Sequence, residues 1–243
     1  MAGSTALGRY DALHADEIAE TADLLYRRVQ ARFPRRNLTA IAAEVVEAVR
    51  RAGLDEGRLR RPTRWLRAAC AALVALFVVA LAIGIASARH DAARAAGDLS
   101  VFDWLSIFDT AVNDIIFGAV AIFFLFSLEP RRKRAAALAE LHKLRAMAHA
   151  IDMHQLAKDP ERLISNISPT AVTVPLNLTP EELGRYLDYC SELLSIVGKA
   201  AAIYAQASTD RQVLSAVNEI ENLTSGLSRK IWQKITLLHS AGL

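Results

Sequence analysis

Charge is absent from Ala68 to Ala88, where 21 residues read AACAALVALFVVALAIGIASA. At about 1.5 Å of rise per residue the run covers the roughly 30 Å hydrocarbon core of a bilayer, and it predicts a transmembrane helix. The alternative is a buried helix of a soluble protein, but a chain of 243 residues offers no core large enough to surround it. A second apolar run, Ile115 to Leu128, is also uncharged but only 14 residues long. Extended back to Ile107 it reaches spanning length and takes in Asp109, Asn113 and Asp114. This predicts a second span over 107–128, with a re-entrant or interfacial segment as the alternative.

On either side the apolar positions recur with helical period. Ile18, Ala22, Leu25, Val29 and Phe33 form a stripe over Asp16–Phe33, ended by Pro34. Asn37 is read as the cap of a second helix carrying Ile41, Val45 and Val49 and ending near Gly53. Beyond the second apolar run, Arg131 to Lys158 reads as a helix with Leu141, Leu144, Ala148 and Ile151 on its apolar side. Leu163 to Thr179, with two prolines and many β-branched residues, reads as an extended linker with room for one short strand. Thr179-Pro180-Glu181-Glu182 is a helix start with the residues of a capping box. The helix it opens has Leu183, Leu187, Cys190, Leu194, Val197, Ala201 and Tyr204 at 4-3 spacing. A second apolar line runs beside it, from Tyr186 and Tyr189 to Ile203, and a face this wide needs more than one neighbour. Thr209 with Gln212 is read as the start of the last helix, whose seam of Val213, Val217, Ile220, Thr224, Leu227, Ile231 and Leu238 is interrupted by Lys234. The fold class is therefore an all-α membrane protein: a two-helix transmembrane hairpin with a cytoplasmic helical bundle built from both terminal segments, part of it packed in the manner of a coiled coil. The divisions are an N-terminal helical pair over 1–57, the hairpin with its basic flanks over 58–134 and a C-terminal helical region over 135–243.

Composition and charge add orientation. The chain is 53% hydrophobic yet 23% charged, with only 11 glycines and 7 prolines, which favours helix. Its formal net charge is +3. Arg58, Arg60, Arg61, Arg64 and Arg67 precede the first span, and Arg131, Arg132, Lys133 and Arg134 follow the second. The loop between the spans has two arginines against three aspartates. Two basic clusters around a weakly acidic loop put both termini in the cytoplasm, most simply at a bacterial inner membrane. They also make anionic lipid headgroups, rather than nucleic acid, the expected partner of the positive charge. Trp65 and Trp104 sit where interfacial aromatics belong.

Within the hairpin, Ala68, Ala72, Ala75, Val79, Ala82 and Ala86 form a small-residue stripe, and Ala111, Asp114, Gly118 and Ala121 form another. The two are expected to face each other, because small faces let helices approach closely in lipid. Continuing the first stripe reaches Arg89, so Arg89 is expected near Asp109 or Asp114. Asp109, Asn113 and Asp114 are then either part of an ion or proton path or polar contacts that fix the hairpin or an oligomer, and their spread around the helix favours contacts.

Candidate chemistry is thin. His149 and Asp152 share a helix face with His142 and Arg145, but His154 points elsewhere. Two or three aligned ligands fall short of a metal site, so a polar face with Asp152 paired to a histidine or arginine is the better reading. Cys70 and Cys190 read as buried small hydrophobes, with no disulfide framework. Sequons at Asn37, Asn166, Asn177 and Asn222 all fall on the predicted cytoplasmic side. No phosphate loop, nucleophile elbow or paired CxxC occurs, and no cofactor is expected.

The layout, a short two-helix anchor between cytoplasmic helices, resembles the SLATT-type membrane proteins associated with bacterial defence. That resemblance covers topology only and carries no residue across. It implies an oligomeric pore or membrane effector. The residues themselves point to a non-catalytic membrane scaffold or sensor that self-associates or recruits a protein partner through its C-terminal helices.

Overall fold

The computed structural model describes residues 12–61, 64–94, 101–156, 158–160 and 176–240, among which six helices and no strands occur. They are α1 (Ala15–Arg32), α2 (Asn37–Arg60), α3 (Arg64–Arg94), α4 (Val101–Leu156), α5 (Pro180–Ala207) and α6 (Arg211–Ser240). The chain divides into two compact units, one made of residues 1–60 with 134–243 and the other of 61–133.

The first unit is a helical bundle with α5 as its axis. Fifteen of the 28 residues of α5 are buried, on every side except the line of Arg185, Asp188, Glu192, Ser195 and Lys199, and it packs against α1, α2 and α6. An apolar face this wide is stable only when more than one helix covers it. From α4 come Ala137, Leu141, Leu144, Ala148 and Ile151, at 4-3-4-3 spacing and all buried. The seam of α6 is buried from Val213 to Leu238 with Ile235 added, while Lys234 stands half-buried beside it. Helix α1 runs antiparallel to α5: Leu13 N donates to Gln206 Oε1 (2.8 Å) at one end, and Arg28 pairs with Glu192 (3.1 Å) at the other.

Three boundaries differ from expectation. Helix α2 does not end near Gly53 but continues to Arg60. A Cβ on Gly53 would lie 2.9 Å from Ala15 Cβ, so this glycine allows the close approach of α1 and does not terminate a helix. Asn37 is the first residue inside α2 rather than its cap. At α6 the cap is Asp210, not Thr209: its Oδ1 accepts from the backbone N–H groups of Gln212 (2.9 Å) and Val213 (3.3 Å).

The start of α5 forms as read. Thr179 Oγ1 accepts from Glu182 N (3.2 Å), and Glu182 Oε2 accepts from Thr179 N (3.0 Å), which closes a capping box with Pro180 in the first turn. Thr179→Ala is expected to cost about 1 kcal/mol in urea unfolding, and Thr179→Ser far less. Just before it, Asn177 adopts φ 44°, a left-handed conformation that asparagine tolerates. Of the linker read over 163–179, residues 163–175 lie outside those described, and 176–179 hold no strand.

In the second unit, Ala68–Ser87 of α3 has a mean hydropathy of 2.8 and is long and apolar enough to cross a membrane. It is the one such stretch among the described residues. The second apolar run does not stand as a separate element. It lies within α4, which continues through Pro130. A proline removes one intrahelical hydrogen bond, but the arginine-, alanine- and leucine-rich sequence after it has enough helix propensity to continue.

Contacts between α3 and α4 fix their direction and register. Lys133 Nζ donates to Arg61 O (2.9 Å), the Arg132 guanidinium lies 5.8 Å from the centre of the Trp65 ring, and Phe77 fits against Gly118. Sixteen residues forward, from Arg61 to Phe77, are matched by fifteen backward, from Lys133 to Gly118. The helices are therefore antiparallel. The less exposed positions agree: Cys70, Leu73, Val74 and Phe77 on α3, and Gly118, Ile122, Leu125 and Glu129 on α4.

This corrects the expected packing of small face on small face. Ala72, Ala75, Val79, Ala82, Ala86 and Ala121 are all exposed, and of the two stripes Gly118 is the residue seen at the contact. A Cβ there would overlap the Phe77 ring, so a large knob fills the notch left by a glycine. That gives more contact area than two flat alanine faces would.

Candidate functional site

Helices α4 and α6 bring polar side chains into the bundle at positions where the apolar spacing leads one to expect hydrophobic ones. Gln155 follows Ile151 by four residues on the buried side of α4 and is 1% exposed. Its Nε2 donates to Asp152 Oδ1 (2.7 Å), and its Oε1 accepts from Lys234 Nζ (2.9 Å) of α6. Lys234 also donates to the Gln155 carbonyl (3.2 Å). One lysine thus satisfies a side-chain and a backbone acceptor together, and no buried side-chain N or O among the described residues lacks a partner.

Close by, Lys158 Nζ donates to His154 O (2.6 Å) and stands 4.4 Å from the centre of the Tyr186 ring. Desolvation holds the Lys158 ammonium below its usual range. Burial also pushes the Tyr186 hydroxyl up, and Phe33 meets that ring edge-on at 5.5 Å between centroids. The Cys190 thiol is pushed up to about 12 by burial, against the opposing charges of Lys158 and Lys234. A thiol of this kind is not a nucleophile at neutral pH. Cys190 is expected to resist alkylation at pH 8 until the protein is unfolded, as peptide mapping would show. In the unfolded chain the thiol returns to its ordinary value of 9.0. Its contribution to stability is therefore whole below pH 9 and is lost as the pH climbs towards 12.

The residues singled out in the sequence do not converge on a catalytic arrangement. His142 and His149 are exposed, and Asp152 is paired with Gln155 rather than with a histidine or arginine. Arg145 reaches across to Glu219 of α6 instead. Among the described residues no three His, Cys, Asp or Glu side chains are grouped to hold a metal ion. Asp109 and Asn113 are exposed on α4. The side chains of Arg89 and Asp114 lie outside those described, and with them the pairing expected for Arg89.

Of the basic residues assigned to lipid, Arg58 pairs with Asp55 (3.3 Å), Arg60 with Glu56 (2.8 Å), Lys133 with Glu129 (3.0 Å) and Arg134 with Asp210 (3.7 Å). Arg61, Arg131 and Arg132 are exposed, and the side chains of Arg64 and Arg67 are outside those described. Three of these pairs, at Arg58, Arg60 and Lys133, are with acids three or four residues away on the same helix.

Sequence reasoning missed two features. Gln155 had a signal, since it continues the 4-3 line of α4 with a polar residue, and Lys234, already marked as interrupting the seam of α6, is its partner. A groove of about 820 Å³ between α1 and α5, floored by Ile18, Leu25 and Ile196, had none, because its two walls are far apart in sequence. No protein-family model, curated protein or solved structure matches the chain.

Proposed function

We propose that this chain is a non-catalytic, membrane-anchored helical scaffold or sensor that self-associates through its helices. The observation that carries the reading is the Ala68–Ser87 stretch, which is strongly apolar and only 6% buried. A core helix of a soluble protein would be covered, and apolar surface of this extent needs lipid or partners. The antiparallel register sets Ala68–Ser87 against the part of α4 that begins near Phe108 and ends near Ser127, which supports a hairpin of two spans. The Arg132–Trp65 pair, a cation on an aromatic ring, suits the anionic headgroup layer of a bacterial inner membrane. Both termini are then cytoplasmic, and the C-terminal helices are free to meet a protein partner.

The test is membrane partition with topology mapping. The chain is expected to stay in the pellet after alkaline carbonate extraction, with reporters at both termini on the cytoplasmic side. Release by carbonate, or termini on opposite sides, would overturn the reading.

A second reading, an oligomeric pore or effector, is favoured by the exposed small-residue face of α3 together with the exposed Asp109 and Asn113 of α4. Ion leak from vesicles containing the purified chain would select it, with loss of the leak in Asp109→Asn tying the path to α4.

A further inference from the structure

We infer that the groove between α1 and α5 is the seat of a second copy of this chain, which docks its own α1 there antiparallel to the first. The inference rests on the self-association proposed above and names the surface responsible.

The groove is walled by two regularly spaced lines. Glu17, Thr21, Leu24 and Arg28 follow one another along α1 at spacings of four, three and four. Glu192, Ser195, Lys199 and Ala202 follow along α5 at three, four and three. Such rows on adjacent helices form the holes into which side chains of a third helix insert. The floor is apolar, yet Leu24 is 61% exposed at the lip, where a monomer gains nothing from it. Thr21, Ser195 and Ala202 are the small residues of the two walls.

Charge selects the occupant. Helix α1 has Asp16, Glu17, Glu20 and Asp23 in its first half and Arg27, Arg28 and Arg32 in its second. Two copies placed antiparallel about a two-fold axis between Thr21 and Leu24 set each acidic half against the other's basic half. Glu17 then meets Arg28 of the second copy twice over, once on each side of the axis. A parallel arrangement would set like against like. The Arg27–Asp23 and Arg28–Glu192 pairs within one chain are exposed, so sharing or exchanging them costs little.

The experiment uses the full chain in detergent. Light scattering of the unaltered protein comes first, and a monomer there overturns both this assignment and the self-association reading. With an oligomer in hand, differently tagged Thr21→Cys and Leu24→Cys chains are mixed and oxidised. A disulfide joining the two tags is expected, because the axis brings position 21 of one copy beside position 24 of the other. Adding Glu17→Lys to both chains, or Arg28→Glu to both, should slow the cross-link at least about tenfold, the ratio produced by losing roughly 1.4 kcal/mol of contact. Placing Glu17→Lys on one chain and Arg28→Glu on the other should restore it, since both cross-axis pairs regain opposite signs. Helical circular dichroism of each variant shows that it is folded. No cross-link in an oligomeric, folded sample would overturn the proposal while leaving self-association through another face intact. Charge variants that leave the cross-link rate unchanged would overturn the assignment of Glu17 and Arg28 as the pairs that select the antiparallel copy.

Discussion

Leu194→Ala is expected to lower the unfolding free energy of the helical bundle by about 3 kcal/mol, within the range of roughly 2–5 found for buried leucines. Leu194 has no exposed surface and lies on the axial helix, whose neighbours are α1, α2 and α6. Removing its branched end forfeits the transfer energy of those carbons. It also opens a cavity that the surrounding helices cannot close without moving one another. The measurement is urea unfolding of the detergent-solubilised chain by far-ultraviolet circular dichroism. Leu54→Ala is the companion control: Leu54 is 64% exposed, and its loss should stay within about 0.5 kcal/mol. Equal effects at the two positions would contradict the placing of α5 at the centre.

Gln155→Leu is expected to cost about 2 kcal/mol, although leucine extends the apolar line of α4 and is the residue that the spacing alone would choose. The cost comes from what is left behind. Lys234 loses the side-chain acceptor on which its ammonium rests, and Asp152 loses its donor. Lys234→Met should be costly on its own for the mirror-image reason, leaving Gln155 Oε1 buried without its cation. Together the two substitutions should recover most of the loss, because a matched apolar pair replaces a matched polar one. A double-mutant cycle reads this as a coupling energy of about 1–2 kcal/mol. Purely additive effects would mean that the pair contributes nothing as a pair.

How much of this could be read along the chain depends on whether the deciding contacts are local. The capping box at Thr179 is complete within four residues, and the seams of α5 and α6 follow from period alone, so all three were legible. Gly53 misled because a glycine that ends a helix and one that admits a neighbouring helix look identical until Ala15 is seen against it. Thr209 misled because two consecutive residues, Thr209 and Asp210, both have capping side chains, and the carboxylate took the role. The packing face of α3 misled for a deeper reason. Small-residue stripes mark where helices are able to approach, whereas the approach made here depends on Phe77 finding Gly118, a pairing that no single helix contains. The groove was invisible for the same reason, since α1 and α5 each supply half of it.

The bundle draws its helices from both sides of the apolar unit in sequence, and this has a consequence for how the chain is made. Arg28 and Glu192, paired in the finished protein, are 164 residues apart. During synthesis α1 and α2 emerge first, with their apolar faces ready and the helix they are shaped to cover not yet translated. They must wait, as a two-helix fragment with an unfilled side, until 61–133 has been dealt with and α5 has appeared. Folding therefore cannot proceed outward from the N-terminus. The bundle cannot close before α5 arrives, and any pause before that point prolongs the interval in which the first two helices are open to aggregation or to chaperones.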